Sequence, residues 1–436
     1  MQSFEQSALG EAGALRAIVA QVMEIQDTTY GGNPAPRALP AARALLEGAD
    51  NYTVRFRGRL AMDSQEAYAR VAEQFRPLGY TPLFRKDDQA REGEAPHIVL
   101  AIRAVLSPLR TNPWVNVVML GLTLICVLMA GGLYQYQGPG PGDLSNDAFV
   151  ATGQALWFAL RIGFQEMGNG WPFAVSLLGI LLAHELGHYF AARYHKVAVS
   201  PPYFIPLPPP LGVFGTMGAV ILLKAPPTNR RVLLDIGIAG PLAGFLVAVP
   251  VVIIGLITSA PPRPIPLGQV NGFEGNSILY VLLKFLVFGK FLPDPAATDG
   301  LPYALFMLRF YVLGMFTPNG GTDVFLNQVA WAGWFGLLVT GLNLIPAGQL
   351  DGGHALYVLV GKRAARLVPV IITIMVALGL FWFGWFIWAA LIYFLGRTHA
   401  EPLDQITEID PLRRALAIGA LVLFVLVITP VPLPLG

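Results

Sequence analysis

NPWVNVVMLGLTLICVLMAGGLY, residues 112 to 134, carries no charged side chain. Wound as a helix, such a run is long enough to cross a hydrocarbon core of about 30 Å, so this stretch sets the fold class. The rest of the chain agrees. Of 436 residues, 54% are hydrophobic and only 13% charged, and the mean hydropathy is +0.56. That composition lies outside the soluble globular range and points to a polytopic membrane protein in a lipid bilayer. A net charge of +2 leaves no electrostatic footprint for nucleic acid. The lone Cys126 sits inside the apolar run, which excludes an intramolecular disulfide framework and a cysteine-based zinc site.

Outward from residues 112–134, further span candidates are 171–194, 231–258, 324–345, 367–395 and 412–429. The stretch 367–395 is divisible into two short helices around Gly379 and Gly384, giving six to seven spans. Residues 148–165, 277–292 and 301–316 are apolar but short or mixed, as interfacial or re-entrant segments are.

Toward the N-terminus the composition changes. Residues 1–50 read as a helix followed by a Pro/Ala linker, NPAPRALPAARALLEGADN. Residues 51–110 alternate as strands in YTVRFRGRL, TPLFRKDD and HIVLAIR, with a helix over DSQEAYARVAEQFRPLGY capped by Asp63 or Ser64. The expected fold is thus a polytopic α-helical membrane protein of about six to seven spans, residues 111–436, behind a small N-terminal soluble α/β domain of ferredoxin-like character. Nothing in that domain clusters like a site, so it reads as a regulatory or substrate-presenting appendage.

Basic residues set an orientation. Arg103 and Arg110 precede the first span, and Arg193, His195, Lys196, Lys224, Arg230 and Arg231 lie between the second and third. Lys362, Arg363 and Arg366 follow the fourth, whereas the linker QGPGPGDLSND has no positive charge. The positive-inside rule therefore puts the N-terminal domain, 193–231 and 361–366 in the cytoplasm. The opening MQSFEQSALGEAGALRAIVAQVMEI has no continuous apolar core. The expectation is a chain without a cleaved signal and, lacking an Arg/Ser-rich transit-like start, a multi-pass protein of a bacterial plasma membrane.

Inside the second span, GILLAHELGHYFAARYHKV (179–197) sets His184 and His188 four residues apart. On a helix they share one face about a turn apart and can hold one zinc ion, with Glu185 beside them as a candidate base. Ionisable groups inside a span are costly and point to function rather than helix cross-linking. Two histidines do not complete a zinc site, and the third ligand must come from elsewhere. Candidates in apolar surroundings are Asp235, Asp323, Asp351 and His354. The second and fourth spans run in the same direction, which brings Asp351 to the same side as the histidines.

HELGH together with NLIPAGQLDG, that is Asn343, Pro346, Asp351 and Gly352 in N-x-x-P-x-x-x-x-D-G spacing, resembles the site-two protease family of intramembrane zinc metalloproteases. The similarity extends through VSPPYFIPLPPPLGVFGTMGAVI and DIGIAGPLAG, covering roughly residues 112–430. With the N-terminal α/β domain, those details resemble the bacterial and chloroplast branch of the ethylene-dependent gravitropism-deficient and yellow-green proteins. The resemblance implies that His184, His188 and Asp351 bind Zn2+, that Glu185 activates water and that Asn343 positions or stabilises the substrate carbonyl. No PDZ-like insertion or cystathionine-synthase-type tail is recognisable, so the regulation of branches carrying them does not transfer. His354, three residues after Asp351, reads as a partner of Asp351 or a polar helix-start residue ahead of direct ligation.

The expected activity is zinc-dependent endopeptidase cleavage in or near transmembrane segments of protein substrates, as in regulated intramembrane proteolysis. A substrate helix must unwind first, and the Pro-rich stretch 201–224 supplies a strand-like edge to receive it, unless it is simply a cytoplasmic surface loop. Gly240 and Gly244 allow close helix packing or a substrate groove. Trp331, Trp334, Trp382, Trp385 and Trp388 read as interface or packing residues. A zinc-handling transporter would string its ligands along a path. A catalytically silent scaffold or chaperone would have lost Glu185 or a histidine, and a prenyl-protein endoprotease would lack the N-x-x-P-x-x-x-x-D-G pattern.

Overall fold

The structure, a computed structural model, describes residues 2–31, 52–87, 96–105, 111–140, 142, 148–265, 274–295, 300–309, 321–395 and 401–433. Helix α1 (Gln2–Ala20) and strand β1 (Met23–Tyr30) come first. Strand β2 (Val54–Leu60), helix α2 (Ser64–Phe75), and strands β3 (Thr81–Lys86) and β4 (His97–Ile102) follow. The four strands pair antiparallel in the order β1-β2-β4-β3. Val54 and Phe56 of β2 turn inward and pack with Leu15 and Val19 of α1 and with Val71 and Phe75 of α2. Asp63 caps α2, its carboxylate accepting the Gln65 and Glu66 N–H groups.

The sheet does not begin at residue 51, where the sequence suggested a boundary. Strand β1 pairs with β2 from Met23↔Leu60 to Tyr30↔Val54, so α1 and β1 belong to the same unit. EIQDTTY is polar because β1 is an edge strand with mostly exposed outer residues. The expected Pro/Ala linker lies outside the described residues.

The membrane body opens with α3 (Pro113–Gln135), α4 (Ala148–Gln165) and α5 (Trp171–Tyr194). A hairpin of β5 (Tyr203–Pro206) and β6 (Thr216–Val220) leads to α6 (Arg230–Thr258). Then come β7 (Arg263–Ile265), α7 (Ile278–Phe288), β8 (Asp294–Pro295), α8 (Tyr303–Met307) and β9 (Gly321–Asp323). Helices α9 (Gln328–Asn343), α10 (Asp351–Val360), α11 (Ala364–Leu378), α12 (Gly384–Leu395) and α13 (Pro411–Val427) complete it.

Among the described residues, three helices are long and apolar enough to cross a membrane: Pro113–Gln135, Met167–Tyr194 and Arg230–Thr258. Six or seven were expected. The difference arises because α9 and α13 stop at 16 and 17 residues and the stretch 367–395 is broken into α11 and α12.

Helices α5, α6 and α9 form the centre. Leu177, Ile180 and Leu181 of α5, Val252 and Leu256 of α6, and Trp334 and Leu337 of α9 are buried in one cluster. Helix α10 packs on α6 through Leu356 and Val358 against Leu233, Leu234 and Ile238.

The stretch 193–231, expected to face the cytoplasm, includes this hairpin, which runs alongside α3. Asn116 near the start of α3 donates to the Pro201 and Pro202 carbonyls, 2.9 Å each, and Tyr134 near its end donates to Val213 O at 3.2 Å. Eighteen helical residues separate those anchors, about 27 Å of helix. Phe214 plugs the tip into the bundle, stacked on Phe335 of α9 with ring centroids 3.6 Å apart. Strand pairing from Tyr203↔Val220 to Pro206↔Thr216 satisfies the inner backbone, as non-helical chain packed among apolar helices requires.

Two further features lie at opposite ends of the bundle. Residues 401–407 form a strap on the edge of β3: Phe84 N–H donates to Leu403 O at 2.9 Å and Gln405 N–H to Phe84 O at 3.0 Å. The strap also binds the entry to α6, with Leu403 N–H donating to Pro227 O and Asp404 N–H to Thr228 O. At the far end of α6, strands β7, β9 and β8 and helix α7 make a cap. Fully buried Lys284 reaches Glu274 at 2.6 Å and Asp323 at 3.3 Å, and Tyr280 Oη donates to Glu274 at 2.8 Å.

Candidate functional site

Helix α5 carries His184, Glu185 and His188, all buried, in the turns before its C-terminal end at Tyr194. The four-residue spacing stacks the two imidazoles on one face, with their Nε2 atoms 3.1 Å apart. Helix α10 delivers the carboxylate. The chain leaves α9 at Asn343, turns through Leu344–Leu350 and begins α10 at Asp351. Gly352 makes that turn possible, because a Cβ there would lie 1.9 Å from the Leu344 carbonyl oxygen. Asp351 Oδ2 stands 3.5 Å from His184 Nε2 and 3.3 Å from His188 Nε2.

Ring orientations are fixed from outside the cluster. Ile236 O of α6 lies 2.7 Å from His188 Nδ1. A carbonyl only accepts, so Nδ1 carries a proton, which leaves Nε2, facing His184 and Asp351, as the ring's metal-ligating nitrogen. Asn343 Nδ2 donates to His184 Nε2 at 3.2 Å. Two imidazole nitrogens and a carboxylate oxygen thus face one another, a donor set that a shared cation would satisfy. Among the described residues, His184, His188 and Asp351 are the group able to hold a metal ion.

The other third-ligand candidates are engaged elsewhere. Asp235 bridges His195 at the end of α5, 2.9 Å, and Arg413 of α13, 2.6 Å. Asp323 pairs with Lys284 in the cap and accepts the Val324 N–H at 2.8 Å. His354 rests against Gly237 of α6 and is not part of the metal-capable group. The residue that sequence reasoning missed is Ile236, because a backbone carbonyl leaves no mark in side-chain identity.

Residues 172–384 match the model described as peptidase family M50. "Probable zinc metalloprotease EGY1, chloroplastic" of Arabidopsis thaliana is 34% identical over 264 residues, 60% of this chain and 43% of that protein. The Oryza sativa subsp. japonica protein of the same name is 30% identical over 394 residues, 86% of this chain and 62% of its own length. "Probable zinc metalloprotease EGY2, chloroplastic" of Arabidopsis thaliana is 32% identical over 269 residues, 61% and 42% respectively. The chain thus spans from about two fifths to three fifths of the length of these relatives. No solved structure matches. The segment 172–384, which contains His184, Glu185, His188, Asn343 and Asp351, is the part of the chain that matches peptidase family M50.

Proposed function

We propose that this chain is a zinc-dependent intramembrane endopeptidase that hydrolyses peptide bonds in or near transmembrane segments of membrane proteins. The observation that carries the reading is the convergence of two imidazole nitrogens and one carboxylate oxygen at 3.1, 3.3 and 3.5 Å. Zinc bonds of about 2.0–2.2 Å at tetrahedral angles put their donor atoms roughly 3.3–3.5 Å apart, so His184, His188 and Asp351 fit that metal. The names of the curated relatives support the same metal and chemistry.

When bound, zinc supplies a Lewis acid that lets water ionise near neutral pH. Glu185, buried one residue after His184, takes the proton from the attacking water and hands it to the leaving amine. Asn343 Nδ2 is aimed at His184 Nε2, close enough to the ligands to donate to a developing oxyanion. Ile236 O keeps His188 Nε2 pointed at the centre throughout.

The β6 edge not paired with β5 receives the unwound substrate through its main chain. Exposed Met217 and Val220 on that strand offer apolar contact with a transmembrane segment. The substrate is thus a membrane-embedded protein segment, and the distribution of basic residues supports a cytoplasmic N-terminal unit with α9 and α13 completing the crossing helices.

The test compares purified wild type with Glu185→Gln for bound zinc and for cleavage of model transmembrane segments. Both should hold zinc, and cleavage should fall by about 10²–10⁴-fold in the variant, the usual weight of a general base. Undiminished cleavage by the variant would remove Glu185 from the mechanism. Wild type that holds no zinc would overturn the reading itself.

A further inference from the structure

Three glycines of α6 stand where a side chain would meet a histidine. A Cβ on Gly237 would lie 3.1 Å from His354 Cβ, and one on Gly244 would lie 3.1 Å from His184 Cβ. Contacts of that length are relieved by shifts of a few tenths of an ångström. Gly240 is different: its Cβ would lie 2.1 Å from His188 Nε2, 2.3 Å from Cδ2 and 2.5 Å from Cε1, on top of the imidazole edge.

The ring has nowhere to go. His188 is buried, and its other nitrogen is fixed 2.7 Å from Ile236 O one turn earlier on the same helix. Turning the ring away breaks that bond. Moving α5 away from α6 would give up the close packing at Gly187, where the helices approach so nearly that a Cβ would lie 2.4 Å from Ala239 O. One turn of α6 therefore holds the imidazole twice, by a carbonyl at Nδ1 and by a bare Cα against the edge that carries Nε2. Small residues commonly let membrane helices pack closely, and Gly255 does that work here, where a Cβ would lie 2.3 Å from Ala330 N of α9 and meet no histidine.

We propose that Gly240 is a positioning residue of the metal centre: the absence of its side chain sets the direction of His188 Nε2 and thereby the affinity for the metal. This rests on the zinc reading above and assigns a role beyond helix packing.

The experiment uses the full chain in detergent as wild type, Gly240→Ala, Gly244→Ala and Gly255→Ala. Zn2+ affinity is read by chelator competition and ligand geometry by the visible spectrum of the Co2+ form, and the melting of the metal-free protein is followed separately. Gly240→Ala should bind zinc at least ten times more weakly with an altered Co2+ spectrum, in the range that displaced orienting partners of metal ligands produce, about 10–100-fold. Gly244→Ala should lose less, and Gly255→Ala should melt earlier while keeping wild-type zinc affinity. Wild-type affinity in Gly240→Ala, or an equal loss in Gly255→Ala, would overturn the assignment while leaving the zinc reading intact. Wild type that binds no zinc would sink both.

Should Gly240→Ala melt too early to titrate, the metal-free proteins decide. The drop in melting temperature should be large beside His188 and small in a His188→Ala background, where the methyl group has room. Equal drops in both backgrounds would overturn the proposal.

Discussion

Replacing Lys284 by methionine should open the cap at the far end of α6. The Lys284 ammonium is fully buried between Glu274 at 2.6 Å and Asp323 at 3.3 Å. With an effective dielectric constant of about 20, separations of 2.6 and 3.3 Å correspond to roughly 6 and 5 kcal/mol of gross attraction. Desolvating the three charges offsets most of that, but removing the lysine alone leaves two carboxylates buried without a counter-charge, a loss of about 3–5 kcal/mol. Hydrogen exchange of the 274–288 amides is the assay, and they should exchange roughly 10²- to 4 × 10³-fold faster at neutral pH, at about 1.4 kcal/mol per tenfold.

The pH dependence has a definite sign. Burial pushes the Asp323 carboxyl above its usual range even in the intact cluster, with Lys284 opposing and Glu274 reinforcing. A carboxyl raised in the folded state contributes stability below its unfolded value and loses it as pH rises through the folded one. Mild acid should therefore slow exchange in this segment, and slow it more in the lysine variant. A triple variant, Lys284→Met with Glu274→Gln and Asp323→Asn, removes all three charges and should recover most of the loss. Unchanged exchange in Lys284→Met, or a triple variant as open as the single one, would refute the reasoning.

Phe214→Ala removes the ring stacked 3.6 Å from Phe335 and should loosen the hairpin tip by about 3–5 kcal/mol. Zinc content should be unchanged while cleavage of transmembrane segments falls at least tenfold, and equal cleavage would disconnect the hairpin from substrate handling. Asp404→Ala deletes the acceptor of the Ile406 N–H at 2.8 Å, the Thr407 N–H at 3.2 Å and the Thr407 hydroxyl. Stranding buried donors costs about 1–3 kcal/mol, so limited proteolysis should nick the 401–407 strap faster, and an unaltered pattern would count against Asp404 as what holds the strap.

The pair His184 and His188 was legible because its information is local, whereas Asp351 was one of four candidates until span direction and the family resemblance singled it out. His184 and His188 share a helix face by spacing alone, and Asp351 begins a helix within a recognisable pattern. Side-chain identity does not encode what a backbone does at close range, so the Ile236 carbonyl was invisible and Gly240 read as helix packing or a substrate groove. Asp323 and Asp235 looked available as ligands because a sequence does not reveal that Lys284 and Arg413 already hold them. Strand β1 was hidden by its polar edge position, and the expected cytoplasmic position of 193–231 rests on the basic residues at its two ends, which say nothing of where the uncharged hairpin between them runs. The strap is hardest of all to foresee, since PLDQIT has no strand pattern and pairs with residues far away in the chain.

That strap also sets an order of assembly. The hydroxyls of Ser64 and Thr407 meet at 2.8 Å across a sequence separation of 343 residues. At about 5–20 residues per second of synthesis, roughly 20–70 s pass between the emergence of one partner and the other. Throughout that interval β3 presents an open sheet edge, the kind of surface that pairs with whatever strand is near. A chain halted before residue 401 has its histidines, its carboxylates and the N-terminal strands, yet lacks the segment that closes the edge and ties it to α6. Docking of the N-terminal unit therefore waits for residues 401–407, and a chain that ends before them is distinguished by an uncovered strand.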